Sequence, residues 1–308
     1  MIERFPGPNR GIGSVRDLRP AVVCRRSATD VRRPAMDAHW GACDFDAAHQ
    51  SENDSRPAMT ALLQPYDRRR QNRILDVLAL MRPLAMRSQQ KIRIGNDCDG
   101  GYVVPARALD CDAVISIGVG PDVSFDFVLA ERGARIIQFD HTVDGPPVDH
   151  PAFRFFNQGW GARTEGEFLS LRDIDARLEG EPQHKLLKFD IEGGEYDIFE
   201  ALVADDLRSY EVICCELHHF AKLADEAFFA KIRHLLECLT HHHAPIHLHA
   251  NNYGNFILIE GVPIPEVLEL TLLRRDLDSF DGYSREPIPG PMDRPNHPLR
   301  PDLCMTAF

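Results

Sequence analysis

Nowhere do the 308 residues contain an apolar run approaching the roughly 20 needed to cross a bilayer, so no membrane-spanning role is expected. Basic charge is also in short supply. The formal net charge is −12, whereas nonspecific attachment to nucleic acid or an anionic membrane surface needs a basic face. The pattern CxxC is absent, and the cysteines at 24, 43, 98, 111, 214, 215, 238 and 304 have neither zinc-knuckle nor disulfide-framework spacing. Reduced thiols in a cytoplasm fit better. No glycine stands at position 123, which is Val123, so the GxGxxG dinucleotide fingerprint is incomplete after Gly118 and Gly120. The same loop lacks the lysine of a phosphate-binding loop.

Residues 1–35 carry eight arginines against Glu3, Asp17 and Asp30, leaving −17 for the remainder. Their proline and glycine content makes a poor amphipathic helix, and no continuous apolar core marks a secretory signal. The expectation is a disordered extension over residues 1–58, with Met36 or Met59 as the functional start. A domain of ordinary composition follows over 59–278, and a proline-rich loop-like tail over 279–308.

Within that domain, residues 67–82 place Ile74, Leu75, Val77, Leu78, Leu80 and Met81 on a broad helical face. Strand-like runs then alternate with helix-like ones. The strands are expected at 113–120, 134–140, 153–161, 185–192, 211–219 and 245–252, and the helices at 124–133, 167–178, 195–207 and 225–242. Runs 256–262 and 267–274 read as a terminal antiparallel pair. Such alternation implies an α/β, doubly wound, mostly parallel sheet with helices on both faces.

In such sheets ligands bind beyond the carboxyl ends of the strands, where strand order reverses. Gly118 and Gly120 permit close approach of a ligand to the backbone. Asp140, ending the second strand, can accept both hydroxyls of a ribose, a demand shared by NAD and adenosine ligands. Trp160 could flank a purine or belong to the core. Asp190 and Glu192 end the fourth strand on the face of Lys188, whereas Glu195 and Asp197 suit the positive end of the following helix. Glu216, His218, His219, His247 and His249 end the fifth and sixth strands. With Asp190 they could hold a divalent metal or supply a general base. His241–His243 read as a solvated helix end.

The stretch LLKFDIEGGEYDIFEAL resembles the LK-D-EG-E signature of FkbM-type methyltransferases, a branch of the class I S-adenosylmethionine-dependent enzymes. DGGYVV, from Asp99 to Val104, is similar to a segment of the same branch, and the resemblance covers about residues 90–275. It implies a seven-stranded Rossmann-like sheet, S-adenosylmethionine at Gly118, Gly120 and Asp140, and O-methylation of a hydroxyl on a small molecule or sugar. Two positions depart from the family pattern. Ser116 replaces an acid and Asp122 a third glycine, leaving Asp122, Ser124 or the DGGY segment to hold the cofactor's amino-acid end.

These readings assign catalysis to Asp190, Glu192, His218 and His219, with either histidine as base and the acids orienting the acceptor or carrying a metal. The cofactor contacts are Ser116, Gly118, Gly120, Asp122, Asp140 and Trp160. The expected partner is a small-molecule or glycan acceptor rather than nucleic acid. Neither the acceptor's identity nor the oligomeric state is legible. The alternatives are a non-catalytic cofactor-binding module and an NAD-dependent oxidoreductase.

Overall fold

The structure is a computed structural model and describes residues 66–305. The expected disordered extension lies outside the described residues. Helix α1, Arg68–Ala79, opens the described part. Asp67 caps it by accepting from the amides of Arg69 and Arg70, an arrangement worth about 1 kcal/mol, and Ile74, Val77 and Leu78 are buried.

Seven strands form the central sheet: β1 Ala113–Ile117, β2 Arg135–Phe139, β3 Phe153–Phe156, β4 Lys185–Phe189, β5 Tyr210–Leu217, β6 His243–Ala250 and β7 Leu268–Arg274. Their order is β3-β2-β1-β4-β5-β7-β6. Strand β7 runs antiparallel to both β5 and β6, while the other pairings are parallel. The expected pairing of 256–262 with 267–274 is replaced by two separate arrangements. Phe256–Ile259 pairs with Val262–Pro265 as a small hairpin, and the later run is inserted in the sheet as β7. Local alternation cannot tell these apart, because both are strands and only their partners differ.

Both faces of the sheet are covered. Ile115, Ile117, Leu187 and Phe189 join one core with Ile74 of α1 and the apolar sides of α3 (Leu171–Asp175), α4 (Glu195–Phe199) and α5 (Glu226–His242). Val114, Leu186 and Val212 join another with Phe125 and Leu129 of α2, Ser124–Glu131. Period two explains the division, and it sends Cys214 and Cys215 to opposite cores as the sequence implies. Helix α5 shows the complementary period of 3.6, burying Phe229, Ile232, Leu235, Leu236 and Leu239 behind an Asp225 cap.

His243 is buried at the start of β6 and bonds the Tyr210 carbonyl through Nε2 at 2.9 Å, so only His241 and His242 end the helix. Residues 284–305 contain no helix or strand. Among the described residues no helix is long and apolar enough to cross a membrane.

Candidate functional site

Strand order reverses between β1 and β4, and the site is built where those two strands end. The Asp190 amide donates to the Ile117 carbonyl at 3.0 Å, so the two chain ends leave the sheet side by side. Gly118 has φ +78, and a Cβ there would collide with the Asp190 carbonyl oxygen. Only glycine suits both conditions. The Asp140 carboxylate, at the end of β2, holds the glycine loop from the other side. One oxygen accepts from the amides of Val119 at 3.0 Å and Gly120 at 3.4 Å, and the other from Thr142. Burial opposes its charge, but these bonds outweigh that and lower its pKa. Asp122 accepts from the Ser124 amide at 3.0 Å, capping the start of α2, and binds Asn96 as well.

Beyond β4, the turn is strained at Glu192, whose φ is +56, while Gly193 takes its φ of +98 without that cost. Glu195 stabilises it in a way the sequence did not reveal. Rather than an exposed first-turn acid, it is fully buried, accepting from the Gly193 amide at 2.9 Å and the His218 amide at 3.0 Å. Asp197 stands in the first turn of α4 as expected, is exposed, and pairs with Lys231 at 2.5 Å.

His218 Nε2 stands 3.3 Å from both Glu192 and Glu216 and 3.8 Å from Asp190, while Nδ1 is 3.7 Å from Glu195. Burial works against its charge, yet Glu195 and Glu216 raise its pKa, which keeps the ring protonated at neutral pH. His219 is the opposite case. Burial first, then Lys222 and His218, lower its pKa and leave a neutral imidazole. Its φ is +63, and its ring lies against Gly193, where a Cβ would strike Nε2. Burial pushes the Asp190 carboxyl up to about 6, against the pull of Lys188 and His218.

Two cavities meet here. One, of about 400 Å³, is walled by Gly118, Gly120, Asp140, Trp160 and Lys188. The other, of about 530 Å³, is walled by Glu216, His218, His219, Lys222 and Glu266. Asp99, Asp190 and Glu192 line both. Trp160 belongs to the core, edge-on to Phe189 and Phe199 at 5.3 and 5.8 Å, and still reaches the first cavity with its Nε1–H buried and lacking an acceptor.

Of the ten residues assigned from sequence to catalysis or cofactor contact, Ser116 alone lies off both walls. It is fully buried, and its neighbours in register are Gln138 and Lys188 on the sheet face covered by α2. Period two puts its side chain there rather than at the strand's end. His247 and His249 also leave the site. The former bonds Asp293 at 2.7 Å, and the latter lies between Glu269 at 2.8 Å and Asp302 at 3.0 Å. Lys188 and Glu195 were the residues missed. For Lys188 the alternation with Asp190 was the available signal, but Glu195 gave none.

Among the described residues, two groups offer ligand atoms within 4.8 Å of one another: Asp190, Glu192 and His218, and separately Asp99, Glu216 and Glu269.

Residues 92–244 match the family model of the methyltransferase FkbM domain. No curated protein is similar to the chain at a significant level. Solved structures that match include a candidate hemolysin from Streptococcus thermophilus, at 12% identity and a TM-score of 0.29, over 61% of this chain and 62% of that one. The chain therefore spans less than two thirds of that protein's length. A candidate RNA methyltransferase from Pyrococcus horikoshii matches at 9% identity and a TM-score of 0.28, over 66% of this chain and 98% of the other. The 1,6-didemethyltoxoflavin-N1-methyltransferase of Burkholderia thailandensis, solved with 1,6-didemethyltoxoflavin and S-adenosylhomocysteine, matches at 13% and 0.25, over 53% and 70%. Scores this low carry no inference, and the family model alone identifies the domain.

Proposed function

We propose that this chain, a member of the FkbM methyltransferase family, uses S-adenosylmethionine to methylate a hydroxyl of a small polyol or glycan. The observation that carries this reading is the wall of Asp99, Asp190 and Glu192 common to both cavities. A donor in one cavity and an acceptor in the other would meet at those three carboxylates. We read the sheet, with its reversal between β1 and β4, as the doubly wound, Rossmann-like frame of such enzymes.

The residues present fit the cofactor. Gly118 leaves the backbone bare, and a Cβ at Gly120 would enter open space. The Trp160 Nε1–H and the Asp190 Oδ1 are buried polar atoms without hydrogen-bond partners, at walls a polar ligand would touch. When bound, S-adenosylmethionine would supply an electrophilic methyl carbon whose sulfur departs as a neutral thioether.

The remaining work falls to the protein. Asp190 and Glu192 orient the acceptor by accepting hydrogen bonds from its hydroxyls, which supplies much of the rate through positioning. His219, neutral at pH 7, takes the hydroxyl proton on its imidazole nitrogen. His218 is a fixed positive charge that opposes the rise burial imposes on the Asp190 and Glu216 carboxyls. The acid-rich acceptor wall suits neutral hydroxyls and repels phosphates and carboxylates.

A divalent ion on Asp190, Glu192 and His218 is the second reading, favoured by ligand atoms within 4.8 Å of one another. It requires His218 to give up a proton that Glu195 and Glu216 stabilise.

Calorimetry with S-adenosylhomocysteine and NAD side by side, followed by labelled methyl transfer to neutral sugars and polyols, tests the proposal. Micromolar S-adenosylhomocysteine binding, with turnover lost in folded Asp190→Ala, is the expected result. Binding of NAD alone, or wild-type turnover in Asp190→Ala, overturns it. Turnover undiminished by EDTA decides against the metal.

A further inference from the structure

Residues 279–308 read as a loop-like tail in sequence, yet Phe280–Tyr283 forms a strand pairing with Leu84–Met86, and polar bonds fasten the segment beyond it to the strand ends that carry the site. Asp293 bonds His247 at 2.7 Å, and Asp302 bonds His249 at 3.0 Å. The Asn252 amide donates to the carbonyls of His297, Arg300 and Pro301 at 3.1 to 3.3 Å, and its oxygen accepts from the His297 amide at 2.6 Å. Met305 is buried in the main core. These contacts fix residues 293–302 over the ends of β6 and β7.

Asn296 is the point where this segment reaches the site. It is 2% exposed. Its Nδ2 donates to Glu269 Oε1 at 2.5 Å and to Asp99 Oδ1 at 3.2 Å, and its carbonyl accepts the Asp99 amide at 3.2 Å. Backbone and side chain of Asp99 are thus both held by one residue, 197 positions away. Asp99 sits in a loop, where neither helix nor strand would otherwise fix its carboxylate. The far side of Asn296 is equally well founded. Glu269 belongs to β7 and is tied to His249, which is tied to Asp302.

We propose that Asn296 is a positioning residue, which sets the Asp99 carboxylate in the wall common to the two cavities. On this account the C-terminal segment is a working part of the site, although it lies beyond the family-matched residues 92–244. Asn296 lines neither cavity itself, so its effect must pass through Asp99. Hydrogen bonds to a carboxylate favour its charged form, and Asn296 opposes the rise that burial imposes on the Asp99 pKa. Removing the amide should therefore loosen the loop and favour the neutral acid together. The functional consequence rests on the reading that the first cavity takes S-adenosylmethionine.

The test uses the full chain and the variants Asn296→Ala, Asp99→Asn and the double variant. Hydrogen–deuterium exchange over residues 95–101, without ligand, should quicken at least tenfold in Asn296→Ala, with the sheet strands unchanged. Calorimetry with S-adenosylhomocysteine should show affinity falling about tenfold in each single variant, roughly 1.4 kcal/mol. The double variant should bind no worse than Asp99→Asn, because an effect relayed through Asp99 disappears when Asp99 has changed. Unchanged loop exchange, or losses that simply add, overturns the proposal. If the wild type fails to bind S-adenosylhomocysteine, the cofactor reading falls while loop exchange still decides whether Asn296 fixes Asp99. Should Asn296→Ala not fold, Asn296→Ser carries the same comparisons.

Discussion

Asp140 accepts the amide hydrogen of Val119 at 3.0 Å, across 21 residues of chain. The end of β2 thereby closes the glycine loop that follows β1. Asp140→Asn puts an amide donor where backbone donors already point. The predicted cost is about 1–3 kcal/mol of stability from unpaired groups. S-adenosylhomocysteine affinity is predicted to fall at least tenfold. Thermal melts and calorimetry on one preparation check both, and an undiminished affinity would confine Asp140 to scaffolding.

Turnover should rise with pH in the acid range. Burial raises the Asp190 pKa to about 6, so the carboxylate is lost as pH falls through that value. Burial lowers the His219 pKa, so that imidazole loses its proton at lower pH than an ordinary histidine. A profile of kcat/KM should ascend between about pH 5 and 7, with an apparent pKa near 6. A flat profile over that range would remove Asp190 from the reaction.

Glu192 occupies left-handed backbone, φ +56, while its carboxylate faces the site. Glu192→Gly relieves a conformational cost of about 1 kcal/mol, which corresponds to a rise of ~2–4 °C in Tm for a domain of this size. The same change should reduce turnover at least tenfold by removing an orienting carboxylate. A variant that is more stable and equally active contradicts the assignment, and steady-state kinetics beside a melt will tell.

His249 couples stability to alkaline pH. Burial opposes its charge, but Asp302 and Glu269 raise its pKa to about 10, above the ordinary value of about 6.5. The stabilisation is complete below the ordinary value and disappears as pH rises through about 10. Tm should therefore decline between pH 7 and 10, and less steeply in His249→Gln. Parallel declines in the two proteins would rule out His249 as the source.

Period and spacing made much of this legible. Strands such as Ala113–Ile117 and Tyr210–Leu217 follow from apolar runs bounded by glycine or charge, and Gly118, Asp140 and Asp190 could be assigned to strand ends without coordinates. What stayed hidden depends on partners distant in sequence. Ser116 faces α2 because of where its strand lies in the sheet. Glu195 looks like any acid at a helix start until the His218 amide is brought to it. Asn296 sits among prolines and turn-forming residues with no local pattern to separate it from an ordinary loop residue.

The insertion of β7 between β5 and β6 also constrains synthesis. A chain emerging from its N-terminus completes β6 at Ala250, while the strand that bonds β6 into the sheet begins only at Leu268. Until Arg274 has left the ribosome, one edge of β5 lies bare, and open edges recruit foreign strands. A fragment ending at 244, where the family match stops, keeps that edge for good. It should aggregate where the full chain does not, even though Gly118, Asp140 and Asp190 are all within it.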